Sequence, residues 1–332
     1  MRAVYVRAFA PFETVGVEEV PDPQPGAGEV VVDVVAAEVN YPDMLVIAGQ
    51  YQFKPPLPFS PGKAAAGRVS ALGAGVRDLA VGDHVAVQVE YGAYAERLKA
   101  RAVNCFKMPA GMAFHTAAAL GLVYQTAWFA LKDRAAFKPG EIVLVLGASG
   151  GIGFASVQLA KALGAKMVIA GVRGERNAHL ATQAGADHVI DLAVPNLHDV
   201  LREKVSALTD KHGADVVIDP VGGDANAAAL RALAWCGRLI IVGFASGQIP
   251  SFKANYLLLK NIAVIGIQWS DYRERTPERA CEAQREIFEF YQQGRLVPHI
   301  DERLPLELFA DALRALRDGK ALGKFVLQVR PE

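Results

Sequence analysis

Ile142-Val143-Leu144-Val145-Leu146-Gly147-Ala148-Ser149-Gly150-Gly151-Ile152-Gly153 runs from an unbroken apolar stretch into a cluster of small residues. An apolar, β-branched strand of this kind is expected where helices cover both faces of a parallel sheet. Small residues in the turn let backbone N–H groups approach a pyrophosphate at the positive end of the following helix. Ile152, Ala155, Ser156, Leu159, Ala160 and Leu163 then recur at helical spacing, so the next segment has one face to lay on the sheet. The run departs from the full G-x-G-x-x-G fingerprint, since Ala148 stands where its first glycine would be. Context therefore carries the reading. A second strand, Lys166-Met167-Val168-Ile169-Ala170, follows at the spacing of a right-handed strand-helix-strand unit. Together they predict a dinucleotide site.

The tip of that second strand separates two cofactors. An NAD site usually carries Asp or Glu there for the ribose 2′-hydroxyl, whereas this chain has Gly171-Val172-Arg173-Gly174-Glu175-Arg176. Arg173 and Arg176 would offer a 2′-phosphate charge-assisted hydrogen bonds of about 1.5–3 kcal/mol each, which favours NADPH over NADH. The alternative is that both arginines are solvated loop charges around Glu175.

Composition agrees with an enzyme that needs no membrane. The 332 residues hold material for two domains, 52% are hydrophobic and 21% charged. No apolar run approaches the roughly 20 residues of a membrane helix. Met1-Arg2-Ala3-Val4-Tyr5-Val6 reads as a first strand rather than a signal peptide, so the expected location is cytoplasmic. Lys plus Arg equals Asp plus Glu at 35 each, which gives no electrostatic case for nucleic acid or an anionic membrane. Cys105, Cys236 and Cys281 form no C-x-x-C pair and read as thiols in a reducing compartment. The seven histidines are equally scattered, so no metal site is expected.

Reading outward from the glycine turn gives the organisation. Residues 1–121 show short alternating strands such as Glu29–Val35 and Gly82–Val87. Residues 122–265 alternate strands with helices: after the first two strands come His188–Ile190, Asp215–Asp219, Arg238–Val242 and Ile262–Ile267, six in all. Six make a complete doubly wound sheet. Helices near Pro277–Gln293 and Leu306–Arg317 and a closing strand, Lys324–Val329, cannot make a core of their own. Residues 266–332 are therefore expected to return to the first domain.

Further matches lie along the whole chain: Val39-Asn40-Tyr41-Pro42-Asp43, Gly49-Gln50-Tyr51, Pro61-Gly62-Lys63-Ala64-Ala65-Ala66-Gly67, Val81-Gly82-Asp83-His84-Val85, Gly92-Ala93-Tyr94-Ala95-Glu96, Gly185-Ala186-Asp187, Asp219-Pro220-Val221-Gly222-Gly223 and Gly323-Lys324-Phe325-Val326-Leu327. In order and spacing these resemble the zinc-free branch of the medium-chain dehydrogenase/reductase superfamily, the zeta-crystallin-like NADPH:quinone oxidoreductases. The resemblance implies an α/β chain with a mostly-β GroES-like catalytic domain and a Rossmann domain. Zinc-dependent members place a His followed by Glu just after the Pro-Gly that is Pro61-Gly62 here, and this chain has Lys63 and Ala64. The four-cysteine lobe after the strand at His84–Val89 is missing as well. Lys63 is unusual for the branch and either touches substrate or sits as a solvated charge.

By the same resemblance Asn40, Asp43 and Tyr51 line the cleft beside the nicotinamide, and Thr126 approaches its ring. Ser149, Gly150, Gly151 and Ile152 lie at the pyrophosphate, Arg173 and Arg176 near the 2′-phosphate, Val242-Gly243-Phe244 beside the nicotinamide ribose, and Lys324 close to the phosphates. Tyr41, Lys63, Trp269 and Tyr272 are candidates for substrate-pocket walls. Each has a plainer alternative: Asn40 and Asp43 serving only turn hydrogen bonds, the aromatics and Phe244 as packing, Lys324 as a solvent-facing charge.

Without a metal or an acid–base dyad, the chemistry compatible with NADPH is hydride delivery to an acceptor that stabilises its own negative charge, a quinone or an α,β-unsaturated carbonyl. Tyr51 is the preferred donor to the developing oxyanion. An enoyl-thioester reductase, which needs a basic channel for a pantetheine phosphate, and an NADPH-binding protein with a structural, sensing or nucleic-acid role are the alternatives. The apolar Ile262–Ile267 strand is expected at a sheet edge, where the family pairs it with its own copy, so a homodimer is expected.

Overall fold

The computed structural model describes residues 1–331. Two compact units divide the chain: the first comprises Met1–Leu122, Ser270–Gln292 and the segment from Pro298 onward, the second Val123–Trp269 and Gln293–Val297. Residues 266–269 and 293–297 thus fall in the second unit rather than the first. Gly266 ends a strand of the second unit's sheet, and the Gln158 side-chain amide of the second unit donates to the Val297 carbonyl at 3.0 Å and accepts the Val297 N–H at 3.1 Å. Leu122 falls on the other side of the boundary, its N–H donating to Glu38.

The second unit is built on six parallel strands. From one edge they run His188–Asp191, Met167–Val172, Ile142–Leu146, Ala214–Asp219, Leu233–Ile241 and Ala263–Gly266. Numbered within the unit this is 3-2-1-4-5-6, with the order reversing between Ile142–Leu146 and Ala214–Asp219; such a reversal opens a ligand crevice at the carboxyl ends of the strands. Every residue of Ile142–Leu146 is buried, as its unbroken apolar character requires. The Gly151–Ala162 helix follows it directly. The strand expected at Arg238–Val242 begins earlier, at Leu233, and runs through Cys236 at φ +60° beside a register irregularity in its pairing.

The first unit is mostly β. Its larger sheet runs Ile300–Pro305, Lys324–Gln328, Glu29–Glu38, Ala64–Leu72, His84–Gln88 and Cys105–Lys107, and Arg97–Arg101 pairs with Glu29–Glu38 as well. The closing strand inserts antiparallel against Glu29–Glu38, with Val326 opposite Glu38. Three partner strands leave Glu29–Glu38 buried along nearly its whole length in place of a clean alternation. A carboxylate at its end, Glu38, is thereby carried into the interior. Among the described residues no helix is long and apolar enough to cross a membrane.

Candidate active site

In the second unit the turn after Ile142–Leu146 is shaped by two glycines. Gly147 takes a left-handed conformation at φ +59°, one residue before the fingerprint's first glycine position. Ala148 has no positive φ and lies buried, so a Cβ is tolerated there. This accounts for the departure from the pattern. At Gly153 a Cβ would fall 2.0 Å from the Gly147 carbonyl oxygen and 2.7 Å from the Ala148 Cα, which makes glycine obligatory where helix meets strand. At Gly150 the nearest atom to an added Cβ is 3.5 Å away, leaving a cradle beside the first turn of the helix. Gly151 and Ile152 open that helix, where N–H groups have no intrahelical acceptor.

Arg173 and Arg176 are both exposed beyond the end of Met167–Val172. The Val242-Gly243-Phe244 segment is held by the Asp219–Gly223 loop. Asp219, fully buried, accepts the N–H groups of Val221 at 2.8 Å and Gly222 at 2.9 Å and the Asn226 amide at 2.5 Å. Val242 N–H donates to the Asp219 carbonyl at 2.8 Å, and Ala245 and Ser246 donate to Pro220 and Val221. Asp219 belongs to a motif that the sequence shows, Asp219–Gly223, but its supporting role appears only in the structure. Phe244 is exposed, whereas Thr126 is buried on the Leu122–Trp128 helix. Trp269 is buried, with its indole N–H donating to Gln125 at 3.1 Å.

The first unit gathers a buried polar cluster. Asn40 caps the Tyr41–Ile47 helix, and its N–H donates to Asp43 Oδ2 at 2.8 Å, one half of a capping box. The same oxygen accepts the Tyr94 hydroxyl at 2.7 Å. Burial pushes the Asp43 carboxyl up to about 6, against the pull of Tyr94 and Asn40, and raises the Tyr94 phenol well above its ordinary value. Asp43 Oδ1 is buried without a hydrogen-bond partner among the described residues. Turn capping is therefore a real duty of Asn40 and Asp43, and it leaves polar capacity over.

Lys324 is not solvent-facing, and its ammonium is spent within the first unit. It donates to the Val39 carbonyl at 2.9 Å and Asn40 Oδ1 at 2.7 Å and pairs with Glu38 at 2.7 Å. These three partners occupy the donors of its ammonium within the first unit. An ammonium only donates, so the Asn40 amide must turn its oxygen to Lys324 and keep its nitrogen as a donor. That nitrogen makes no well-aligned hydrogen bond, although the Asn40 amide helps Lys324 oppose the upward push of burial on Glu38.

Lys63 is no solvated charge either, being 2% exposed. Its ammonium pairs with the Glu90 carboxylate and donates to the Glu90 carbonyl at 3.2 Å. The other Glu90 oxygen takes Arg273 at 2.8 Å. Burial lowers the Lys63 pKa against the pull of Glu90. Burial alone would raise Glu90, yet Lys63 and Arg273 hold it below the usual carboxylate range. Tyr51 is half-buried, with the Lys63 ammonium 4.6 Å from its ring centroid. Tyr41 is exposed at the head of its helix, and Tyr272 is half-buried on the Trp269–Arg275 helix. Sequence reasoning missed Glu38, Glu90, Tyr94 and Arg273 as parts of this cluster. Tyr94 lay within a matching motif, whereas Glu38 fell beyond the strand expected at Glu29–Val35, which in the structure runs on to Glu38.

The family models matched are an alcohol dehydrogenase GroES-like domain, over residues 26–132, and a zinc-binding dehydrogenase, over residues 151–284. Quinone oxidoreductase-like protein 2 of Bos taurus is 37% identical over 302 residues, which cover 91% of this chain and 85% of the relative. The chain belongs to the medium-chain dehydrogenase/reductase superfamily. Its fold is accordingly a GroES-like unit joined in sequence to a Rossmann-type one. Among solved members of the superfamily, a mycobacterial structure complexed with NADPH matches with TM-score 0.91 and 31% identity over 99% of this chain and 100% of that one. The Escherichia coli quinone oxidoreductase complexed with NADPH matches with TM-score 0.90 and 29% identity over the same shares. Zinc, which the second family model's description implies, does not fit the residues present. Among the described residues no group of three or more His, Cys, Asp or Glu is placed to hold an ion. The position where the zinc-dependent branch has His carries the Lys63 ammonium, paired with Glu90.

Proposed function

We propose that this protein is an NADPH-dependent reductase of quinones or α,β-unsaturated carbonyls that works without zinc. The observation that carries the reading is the Gly147–Gly153 turn, whose backbone leaves room for a pyrophosphate at the start of the Gly151–Ala162 helix. NADPH in the two similar structures supports the cofactor, and quinone oxidoreductase names among the relatives support the acceptor. NADPH would be held by Ser149, Gly150, Gly151 and Ile152 at its pyrophosphate, Arg173 and Arg176 at its 2′-phosphate, Val242-Gly243-Phe244 at its ribose and Thr126 at its ring. When bound it supplies hydride. Tyr51 serves as proton donor, Asn40 offers its amide nitrogen, and Asp43 holds the turn that presents Asn40. Tyr41, Trp269 and Tyr272 bound the acceptor's pocket in this reading.

The deciding experiment follows reduced-nicotinamide absorbance with NADPH or NADH, against quinones and simple enones, for chelator-treated protein and for R173A/R176A. Turnover that survives chelation and prefers NADPH is expected. The double variant should lose about tenfold to a hundredfold in NADPH affinity while NADH is unaffected. Loss of activity on chelation overturns the zinc-free reading, and equal loss with both cofactors overturns the arginine assignment.

The protein is also proposed to act in the cytoplasm, as a homodimer. Ala263–Gly266 lies at the sheet edge, and Trp235, Leu258 and Leu259 in the same unit are more than 70% exposed. Exposed apolar side chains beside an unpaired strand favour a second copy of the chain. L258E/L259E should convert the dimer to a monomer in light scattering, and a wild-type monomer would overturn the assignment.

A further inference from the structure

Lys63 is a buried charge that the proposed reaction leaves unused. Its ammonium has three directions to satisfy: the Glu90 carboxylate takes one, the Glu90 carbonyl a second at 3.2 Å, and the Tyr51 ring lies off the same nitrogen with its centroid at 4.6 Å. Glu90 cannot turn away to solvent, because Arg273 binds its other oxygen and is itself 3% exposed. Taking an ammonium out of water is costly. A tie between Glu90 and the Trp269–Arg275 helix does not require it, since Arg273 makes that link alone. What Lys63 adds is a fixed positive charge against Tyr51.

We propose that Lys63 is a positioning residue for the reduction: clamped by Glu90 and Arg273 beside Tyr51, it orients that ring and steadies the negative charge left on Tyr51 when the phenol gives its proton to the acceptor. The inference rests on the reading of Tyr51 as donor. As the β-carbon of an enone gains hydride from the reduced nicotinamide, the π pair moves onto the carbonyl oxygen. The Tyr51 O–H bond breaks, an O–H bond forms on the enolate, and the phenolate is reprotonated from water. The acceptor is reduced by two electrons and the nicotinamide oxidised by two. A cation attracted to a ring face is attracted more strongly once the ring is anionic, and a charge already in place needs no reorganisation at that moment.

The test compares wild type, K63M, K63R, Y51F and K63M/Y51F for kcat and KM with an enone, alongside NADPH affinity by fluorescence titration and thermal unfolding. K63M should lower kcat about tenfold or more with NADPH affinity unchanged. K63R should restore most of the rate, and K63M should cost nothing further in the Y51F background. Where K63M does not fold, K63M/E90Q replaces it, since that pair leaves no lone carboxylate in the interior, and the same loss is expected. Unchanged kcat in K63M, or an equal loss with and without Tyr51, overturns the role of Lys63. Wild-type turnover in Y51F overturns the donor assignment itself, which an inactive Y51F beside a fully active K63M does not.

Discussion

The ammonium of Lys324 lies 2.7 Å from the carboxylate of Glu38, and both side chains are buried. Glu38 ends one strand of the ladder in which Ala37 faces Ala65, which brings its carboxylate toward Ala64. A Cβ on Gly121 would touch both, at 3.3 Å from the Ala64 Cβ and 3.6 Å from Glu38 Oε2. Zinc-dependent relatives carry their glutamate at the position of Ala64. Here the neighbouring strand supplies a carboxylate to the same neighbourhood, and Lys324 answers it.

Removing Lys324 alone strands that carboxylate. Lys324→Met is expected to cost about 3–5 kcal/mol in urea unfolding, since a buried charge loses its partner. K324M/E38Q should recover a clear part of this by removing the stranded charge. A double variant as unstable as the single one would show that packing, and not charge, sets the cost.

Asp43 gives the protein a pH dependence of definite sign. Its carboxyl stands at about 6 in the fold, above its ordinary value of 3.8. The fold therefore binds the proton more tightly than the unfolded chain does. The resulting stabilisation is complete below about pH 4 and is lost as pH rises through about 6, a change of about 3 kcal/mol. Asp43→Asn should flatten the fall of stability between pH 4 and 7 that wild type shows. Identical slopes in the two proteins would place the titration elsewhere.

Gly150 and Gly153 separate ligand approach from packing. Gly153→Ala drives a Cβ into backbone that cannot yield and is expected to lower both thermal stability and NADPH affinity. Gly150 has an ordinary φ of −78° and open space beside it. Gly150→Ala should therefore leave the melting temperature unchanged while weakening NADPH about tenfold, because the cofactor's phosphates need that space. Unchanged affinity in Gly150→Ala would move the pyrophosphate away from this turn.

The second unit was largely legible in the sequence because its signals are local. An apolar run, small residues and a helical period sit within a few residues of each other around Gly147–Gly153, and five further apolar runs at similar intervals mark the other strands. That Gly147 is the left-handed residue was not legible, since the turn is set against the loop residue Val221 and the strand residue Gly171, both distant in sequence. The first unit's cluster was legible only in part. Asn40, Asp43 and Tyr51 belong to a short motif, but Tyr94 reaches Asp43 across 51 residues, Arg273 reaches Glu90 across 183, and Lys324 reaches Asn40 across 284. Pairings at such separations leave no trace in local spacing. For the same reason a solvated charge stood as an alternative for both Lys63 and Lys324, and their buried carboxylate partners rule it out.

The closing strand Lys324–Gln328 lies inside the first unit's sheet, between Ile300–Pro305 and Glu29–Glu38. During synthesis the ribosome releases the first hundred or so residues long before that slot can be filled. The second unit, nearly all of it continuous from Val123 to Trp269, has its six strands in hand while the first still lacks two. Domains generally fold as units as they emerge, so the later-encoded unit is the earlier one to mature. The strands of Met1–Leu122 must wait with an open slot in their sheet for Lys324–Gln328, which makes that interval the protein's period of greatest exposure to aggregation and to chaperones.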